Sequence, residues 1–116
     1  MAVDFETNDA AYIASSAGAI YTNEATETSF IKSVVIHNTN TTAETVKLYV
    51  VPDSGGSLGT AGVSNLMHNI SVAADATVHI EFPGPGIVLK GTKDSIQAVT
   101  TTASKVTYWV SVRIDT

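Results

Sequence analysis

Residues 106–115 read VTYWVSVRID, and the alternation in this stretch decides the fold class. Every even position from Val106 to Ile114 is apolar, whereas the odd positions hold Thr, Trp, Ser, Arg and Asp. Successive side chains of a β-strand point to opposite faces, so the pattern predicts a strand with one buried and one wet face. Strands of this kind are typical of antiparallel sheets.

The same alternation recurs along the chain, in residues 46–51, 66–72 and 78–82. Weaker strands are predicted at 19–22, 30–38, 87–89 and 95–101, the last with Ile96 and Ala98 facing inward. In residues 30–38 the apolar parity slips, because Ile31 belongs to one face and Val34 and Ile36 to the other. A β-bulge near Lys32 and Ser33 would absorb that slip.

Turn residues separate these segments. Residues 52–62 (PDSGGSLGTAG) contain four glycines and predict a long surface loop. Residues 73–76 include Asp75 and suit a tight hairpin turn. Residues 83–86 (PGPG) predict a rigid corner at which the chain passes from one sheet to the other.

Together these segments predict an all-β fold, a two-sheet antiparallel β-sandwich of seven to nine strands, because two half-apolar sheets bury their faces against each other. Residues 18–116 form the sandwich domain, and residues 1–17, which lack alternation, form an extended N-terminal arm. The predicted core consists of Val34, Ile36, Leu48, Val50, Ile70, Ile80, Ile96, Tyr108, Val110 and Val112.

The amino-acid composition narrows the range of functions that this chain can have. The 116 residues include no cysteine, which excludes disulfides and thiolate chemistry. The net charge is −5, with only six Lys and Arg, so binding to phosphate backbones is disfavoured. No apolar run approaches the roughly 20 residues of a membrane span. The acidic stretch at residues 1–9 is not expected to be a signal peptide. We therefore expect neither a nucleic-acid nor a membrane partner.

The sequence contains no pattern that indicates a catalytic site. His37, His68 and His79 lie on three different predicted strands, without the close spacing of metal ligands. His68 falls on the apolar parity and the other two on the polar one. No Gly-x-Ser-x-Gly nucleophile motif is present. We expect no catalytic residue, no cofactor and no metal, and hence no enzyme.

A partner interface is the more informative prediction. Tyr49, Met67 and Trp109 fall on the nominally wet parity, and aromatic and Met side chains are enriched in interfaces. The arm carries Phe5, Tyr12 and Ile13, which a disordered tail would not need. These six residues are the candidate interface, and the arm is expected to dock on a neighbouring subunit or on a capsid. The alternative is an arm that folds back as an edge strand and covers Tyr49 and Trp109.

Six segments carry a recurring pattern of strands and turns: residues 19–22 (AIYT), 30–39 (FIKSVVIHNT), 46–52 (VKLYVVP), 69–72 (NISV), 87–89 (IVL) and 94–98 (DSIQA). In these segments the chain resembles a group of tailed-bacteriophage and prophage virion proteins. The resemblance spans residues 19–114, although the turn after Gly91 is slightly longer here than in the group's pattern.

The resemblance implies an immunoglobulin-like or jelly-roll-like sandwich on a virus particle assembled in the bacterial cytoplasm. Capsid decoration, neck or tail, and fibre-associated roles all fit, with other virion proteins as partners. We expect a homo-oligomer or a multi-copy lattice. The alternative function is a carbohydrate-binding module for host-surface glycans, with Trp109 and Tyr49 as its stacking platform.

Overall fold

The computed structural model describes the backbone of residues 3–7 and all of residues 11–116. The strands are β1 (Val3–Thr7), β2 (Ala11–Tyr12), β3 (Gly18–Thr22), β4 (Thr28–Asn38), β5 (Glu44–Val51), β6 (Leu66–Val72), β7 (Thr77–Glu81), β8 (Ile87–Leu89), β9 (Ser95–Thr100) and β10 (Val106–Asp115). A 3-10 turn, Val63–Asn65, precedes β6. In the described residues, no helix has the length and apolar composition to cross a bilayer.

Two antiparallel sheets form the sandwich, which confirms the predicted fold class. The six-stranded sheet has the order β1-β10-β4-β7, with β2 also beside β10 and β8 also beside β4. The four-stranded sheet has the order β3-β9-β5-β6. Because β1 and β2 share one position and β7 and β8 another, each sheet has four positions. The chain fills them in the sequence of a jelly roll, which selects one of the two topologies expected from the resemblance.

The core lies between the sheets and follows the alternation in the sequence. Seven of the ten predicted core residues are buried, and Val50, Ile70 and Tyr108 are half-buried against the same cluster. Each fully buried aliphatic side chain contributes on the order of 1.5–3 kcal/mol. The cluster also takes in residues that the prediction did not name, among them Ile13, Ile20, Ile31, Val46, Val72, Leu89 and Val106.

The predicted bulge in β4 is confirmed. Ser33 pairs with Ser111 of β10 and Ile31 pairs with Val112, so Lys32 is the extra residue. This single insertion lets Ile31 and Val34, three positions apart, both face the core, where each is fully buried.

Two turns differ from the prediction. The corner at residues 83–86 does not switch sheets, because β7 and β8 both pair with β4, on either side of the Lys32 bulge. The chain instead changes sheets at residues 73–76, where Ala76 N–H donates to the Ala73 carbonyl and Asp75 adopts a φ of 55°. The reason is geometric: β6 pairs with β5 in one sheet and β7 with β4 in the other.

The N-terminal stretch belongs to the six-stranded sheet in the single chain. β1 pairs with residues 111–115 of β10, and β2 pairs with Thr107 and Tyr108. Ile13 is 1% exposed, and its N–H donates to the Val106 carbonyl at 2.8 Å. The described part of the arm therefore pairs as an edge of its own sandwich, as the alternative prediction proposed, but it does so in the sheet opposite the one that holds Tyr49.

The long loop at residues 52–62 lies against the outer face of the four-stranded sheet. Gln97 Nε2 donates to the Gly59 carbonyl at 2.9 Å, and a Cβ on Gly59 would collide with the Pro52 carbonyl oxygen. This contact explains why Val51 and Gln97 are buried although both lie on the parity opposite the core.

Candidate interaction surface

The outer face of the six-stranded sheet carries exposed aromatic and aliphatic side chains. Trp109 lies between Tyr108 and Val110, which face the core, and it points outward, opposite Val35 of β4. Tyr12 of β2 pairs with Thr107, two residues from Trp109 on the same face. Trp109 is 42% exposed and Tyr12 55% exposed. Diagonal neighbours of this kind lie within reach of each other's aromatic rings.

The same face continues toward the bulge end of β4. Phe30 pairs with Arg113 of β10 and with Val88 of β8, and it points outward because Ser29 and Ile31 beside it are buried. Val88 is 43% exposed. We call the outward set formed by Tyr12, Phe30, Val35, Val88 and Trp109 the aromatic face.

Charged and polar groups border the aromatic face at both ends. The Arg113 guanidinium lies 5.0 Å from the centre of the Phe30 ring and donates to both carboxylate oxygens of Asp115, each at 3.1 Å. At the other end, His37 Nε2 is 3.3 Å from Asp75 Oδ1, and His37 Nδ1 is 2.8 Å from the Thr77 hydroxyl. An apolar centre with a polar rim is the usual anatomy of a protein interface.

The structure brings together only part of the predicted interface. Trp109 and Tyr12 share the aromatic face, whereas Tyr49 pairs with Gln97 on the outer face of the opposite sheet. Trp109 and Tyr49 therefore cannot form one stacking platform, and the described part of the arm lies in the sheet opposite Tyr49. Phe5 pairs with Arg113 through its backbone, and its side chain lies outside the described residues.

Two other members of the predicted set pack against the interior of the chain. Ile13 is buried in the core and is not available to a partner. Met67 sits at a register shift between β5 and β6, where Leu48 pairs with His68 and Tyr49 with Leu66. That bulge moves Met67 off the wet parity, and it packs against the core cluster.

Phe30, Val35 and Val88 were missed by the sequence-based prediction. The predicted core residues Val34 and Ile36 already require Val35 between them to point outward, and a bulge at Lys32 with Ile31 inward requires the same of Phe30. Val88 lies in a strand of only three residues, too short for its alternation to be recognised.

Two carboxylates that accept several hydrogen bonds, Glu44 and Asp94, stabilise loops next to the sandwich. Glu44 is 3% exposed and accepts hydrogen bonds from Asn40 Nδ2, Thr100 Oγ1 and the Thr102 N–H, at 2.8–3.0 Å. Burial by itself would raise the pKa of Glu44, but these hydrogen bonds outweigh it and the pKa lies below its ordinary value. The pKa of Asp94 is likewise lowered, because backbone N–H groups of Asp53 and Gly91 outweigh the effect of burial.

The three histidines lie in separate parts of the fold. His68 faces inward, with its ring centre 6.3 Å from that of Phe82. His79 is exposed on β7. Within residues 11–116, no group of three His, Cys, Asp or Glu side chains is arranged to hold a metal ion. A depression of about 230 Å³ on the four-stranded sheet is lined by Thr45, Lys47 and residues 99–101. One cation and a few hydroxyls do not form a catalytic set.

No family model matches the sequence, and no curated protein matches it either. Among solved structures, the chain is similar to a protein of Bacillus endospore appendages, which form a novel family of disulfide-linked pili. The two are 16% identical over 99% of this chain and 87% of the other, with a TM-score of 0.53. A Tobacco streak virus coat protein, solved as a dimer, matches at 14% identity over 95% of this chain and 83% of that one, with a TM-score of 0.48. At such low identity the likeness to the appendage protein shows the fold alone.

Proposed function

We propose that this protein is a non-enzymatic structural component of a bacteriophage particle, a capsid decoration or a neck or tail accessory protein that acts through protein–protein contacts. The observation that carries the proposal is the aromatic face. Trp109, Tyr12 and Val88 are each more than two-fifths exposed on one side of a rigid sheet. Large aromatic side chains at the centre of an apolar patch with a polar rim are typical anchors of protein complexes.

The jelly-roll fold that carries the aromatic face supports the same proposal. Jelly rolls occur widely in viral capsid proteins, where sheet faces and loops supply the contacts between subunits. This chain has no cysteine, so its residues cannot form the disulfide links that the pili in the appendage structure use. Equivalent sites repeated on a symmetric shell or tube let contacts of modest affinity add together.

Purified particles provide the test. Particles released from producing cells are banded in a density gradient, treated with high salt and analysed by quantitative mass spectrometry. The proposal predicts that this protein bands with the major capsid protein at a fixed ratio of several copies per particle. Its recovery only in the soluble fraction, while the capsid protein bands normally, would contradict the proposal.

A second candidate function is glycan binding, and one observation favours it. Tyr12 and Trp109 lie on one face beside the Thr107 and His37 side chains, so a stacking platform can be built there without Tyr49. Glycan-array binding that is lost in Trp109→Ala, while Tyr49→Ala binds normally, would establish this function. An array without signal for the wild-type protein would exclude it for the glycans tested.

A further inference from the structure

Strand β6 is an open edge of the four-stranded sheet. It pairs with β5 on one side and is the last strand in that sheet's order. At the two ends of the strand, the Leu66 N–H donates a hydrogen bond to the Val63 carbonyl, and the Val72 carbonyl accepts one from Asn38 Nδ2. Among the described residues, only those of β5 form backbone hydrogen bonds with residues 67–71. Free N–H and C=O groups in a row are a template for another strand.

The remaining edges carry features that discourage such pairing. The sequence of β1 includes Asp4 and Glu6. β3 is short and shifts register between Ala19 and Tyr21. β7 and β8 are separated by the corner with Pro83 and Pro85. β6 reads LMHNISV, seven residues without a formal charge or a proline. Natural sheets protect their edges with charges, prolines and irregularities, and of the described edges β6 has the least protection.

The geometry points to β6 as the site where a second copy of this chain docks, by antiparallel β6–β6 pairing about a two-fold axis near Asn69. This inference deepens the proposed function and rests on it, because it names one of the contacts by which copies would associate. Pairing about Asn69 places His68 opposite Ile70 of the other copy. Both residues face the core side in each sheet, so the two sheets join with their buried faces aligned.

Charge and shape favour a second copy as the occupant. The net charge of −5 makes most surfaces of two copies repel, but β6 is uncharged, and its neighbour across the ladder at Asn69 is Lys47. Val63 is 90% exposed and Leu66 37% exposed, just before the strand. Antiparallel pairing brings this end of one copy to the exposed Ala73 and Ala74 that follow the strand in the other. An isologous contact of this kind uses the same patch twice.

The test is a charge swap at the two-fold axis. Asn69→Glu is tolerable in the single chain, because Asn69 is exposed and opposite Lys47, but in the dimer it places two carboxylates against each other. The matched control is Thr45→Glu, an exposed site on β5 with the same change in charge. Dimerisation is measured by analytical ultracentrifugation, and folding by circular dichroism.

We expect the wild-type protein and Thr45→Glu to dimerise alike and Asn69→Glu to weaken dimerisation at least tenfold while remaining folded. Mixing Asn69→Glu with Asn69→Lys should restore a heterodimer, because opposite charges then meet at the axis. A wild-type protein that stays monomeric up to about millimolar concentration would overturn the inference, as would an Asn69→Glu variant that dimerises like the control. Neither result bears on whether the protein bands with particles, so failure of this contact is distinguishable from failure of the proposed function.

Discussion

Asn38 is a single residue that ties together both sheets where the chain passes between them. It is fully buried, and its Nδ2 donates to the carbonyls of Thr42, Val72 and Ala73 at 3.0–3.3 Å, while its Oδ1 accepts from the Asn40 N–H. Asn38→Ala leaves these groups without partners, so we expect the free energy of unfolding to fall by about 2 kcal/mol. The exposed Asn69→Ala should change it by less than about 0.5 kcal/mol. Urea denaturation at low protein concentration checks both values, and equal stabilities would contradict the role of Asn38.

Glu44 makes stability depend on pH in a predictable direction. Its pKa in the folded chain lies below the ordinary value of 4.5, so the unfolded chain takes up the proton first as the pH falls. The stability that Glu44 contributes is therefore complete above the unfolded pKa, shrinks below it, and is lost once the pH passes the folded pKa.

Glu44→Gln should accordingly lower the Tm at neutral pH and flatten its decline between about pH 5 and pH 3. Glu81→Gln, at an exposed position of β7, is the control and should leave the slope of the wild-type protein unchanged. Differential scanning calorimetry across this range makes the comparison. A slope in Glu44→Gln as steep as that of the wild type would show that this carboxylate does not carry the effect.

The extra residue of strand β4, Lys32, can be removed without changing which side chains of the strand face the core. Deleting Lys32 leaves Ile31, Ser33 and Val34 opposite Val112, Ser111 and Val110, a regular ladder with the same side chains inward. Deleting Val35 instead moves every side chain on one side of the deletion to the opposite face of the sheet. We expect the first deletion to unfold cooperatively, with stability reduced by the loss of the bonds that Lys32 makes to Phe82 and Gly84. The second should show no cooperative transition. Thermal unfolding followed by circular dichroism distinguishes them, and two equally damaged proteins would refute the bulge as a removable insertion.

The elements also show how far the sequence determines the structure. Alternation alone locates β10 and β5, and the parity slip of Ile31 against Val34 locates the bulge. The sheet change at residues 73–76 could not be found this way, because a tight turn has the same local chemistry whether it joins neighbours in one sheet or crosses to the other. Val51 and Gln97 lie on the parity opposite the core, and alternation could not show that they are buried, because the loop that covers them comes from another part of the chain. Of the residues named from the sequence, Trp109 and Tyr12 lie on the aromatic face and Tyr49 lies on the opposite sheet, because a single sequence does not tell which sheet a strand joins.

For the molecule as a whole, the described part of the N-terminal stretch pairs and packs with the rest of the sandwich. Deleting residues 1–16 removes the edge beside β10 together with the buried Ile13, so we expect a large loss of thermal stability in the isolated protein. Ile13→Ala should reproduce about 2–4 kcal/mol of that loss. Tyr12→Ala, at an exposed position, should cost about 1 kcal/mol or less. A truncated protein as stable as the full chain would mean that the stretch is held by a partner and not by its own sandwich.

The central proposal, assembly into a particle through the aromatic face, is tested most directly by the copy number of a Trp109→Glu variant. Trp109 is 42% exposed on the outer face, so a carboxylate there leaves the core intact but places an unpaired charge in the centre of a contact. Thr45→Glu, on the opposite sheet, is the matched control. Both variants replace the wild-type protein in producing cells, and quantitative mass spectrometry counts their copies in gradient-purified particles. We predict that Thr45→Glu enters particles at the wild-type level and that Trp109→Glu, although folded, falls at least tenfold. A Trp109→Glu protein incorporated at the wild-type level would contradict the proposal.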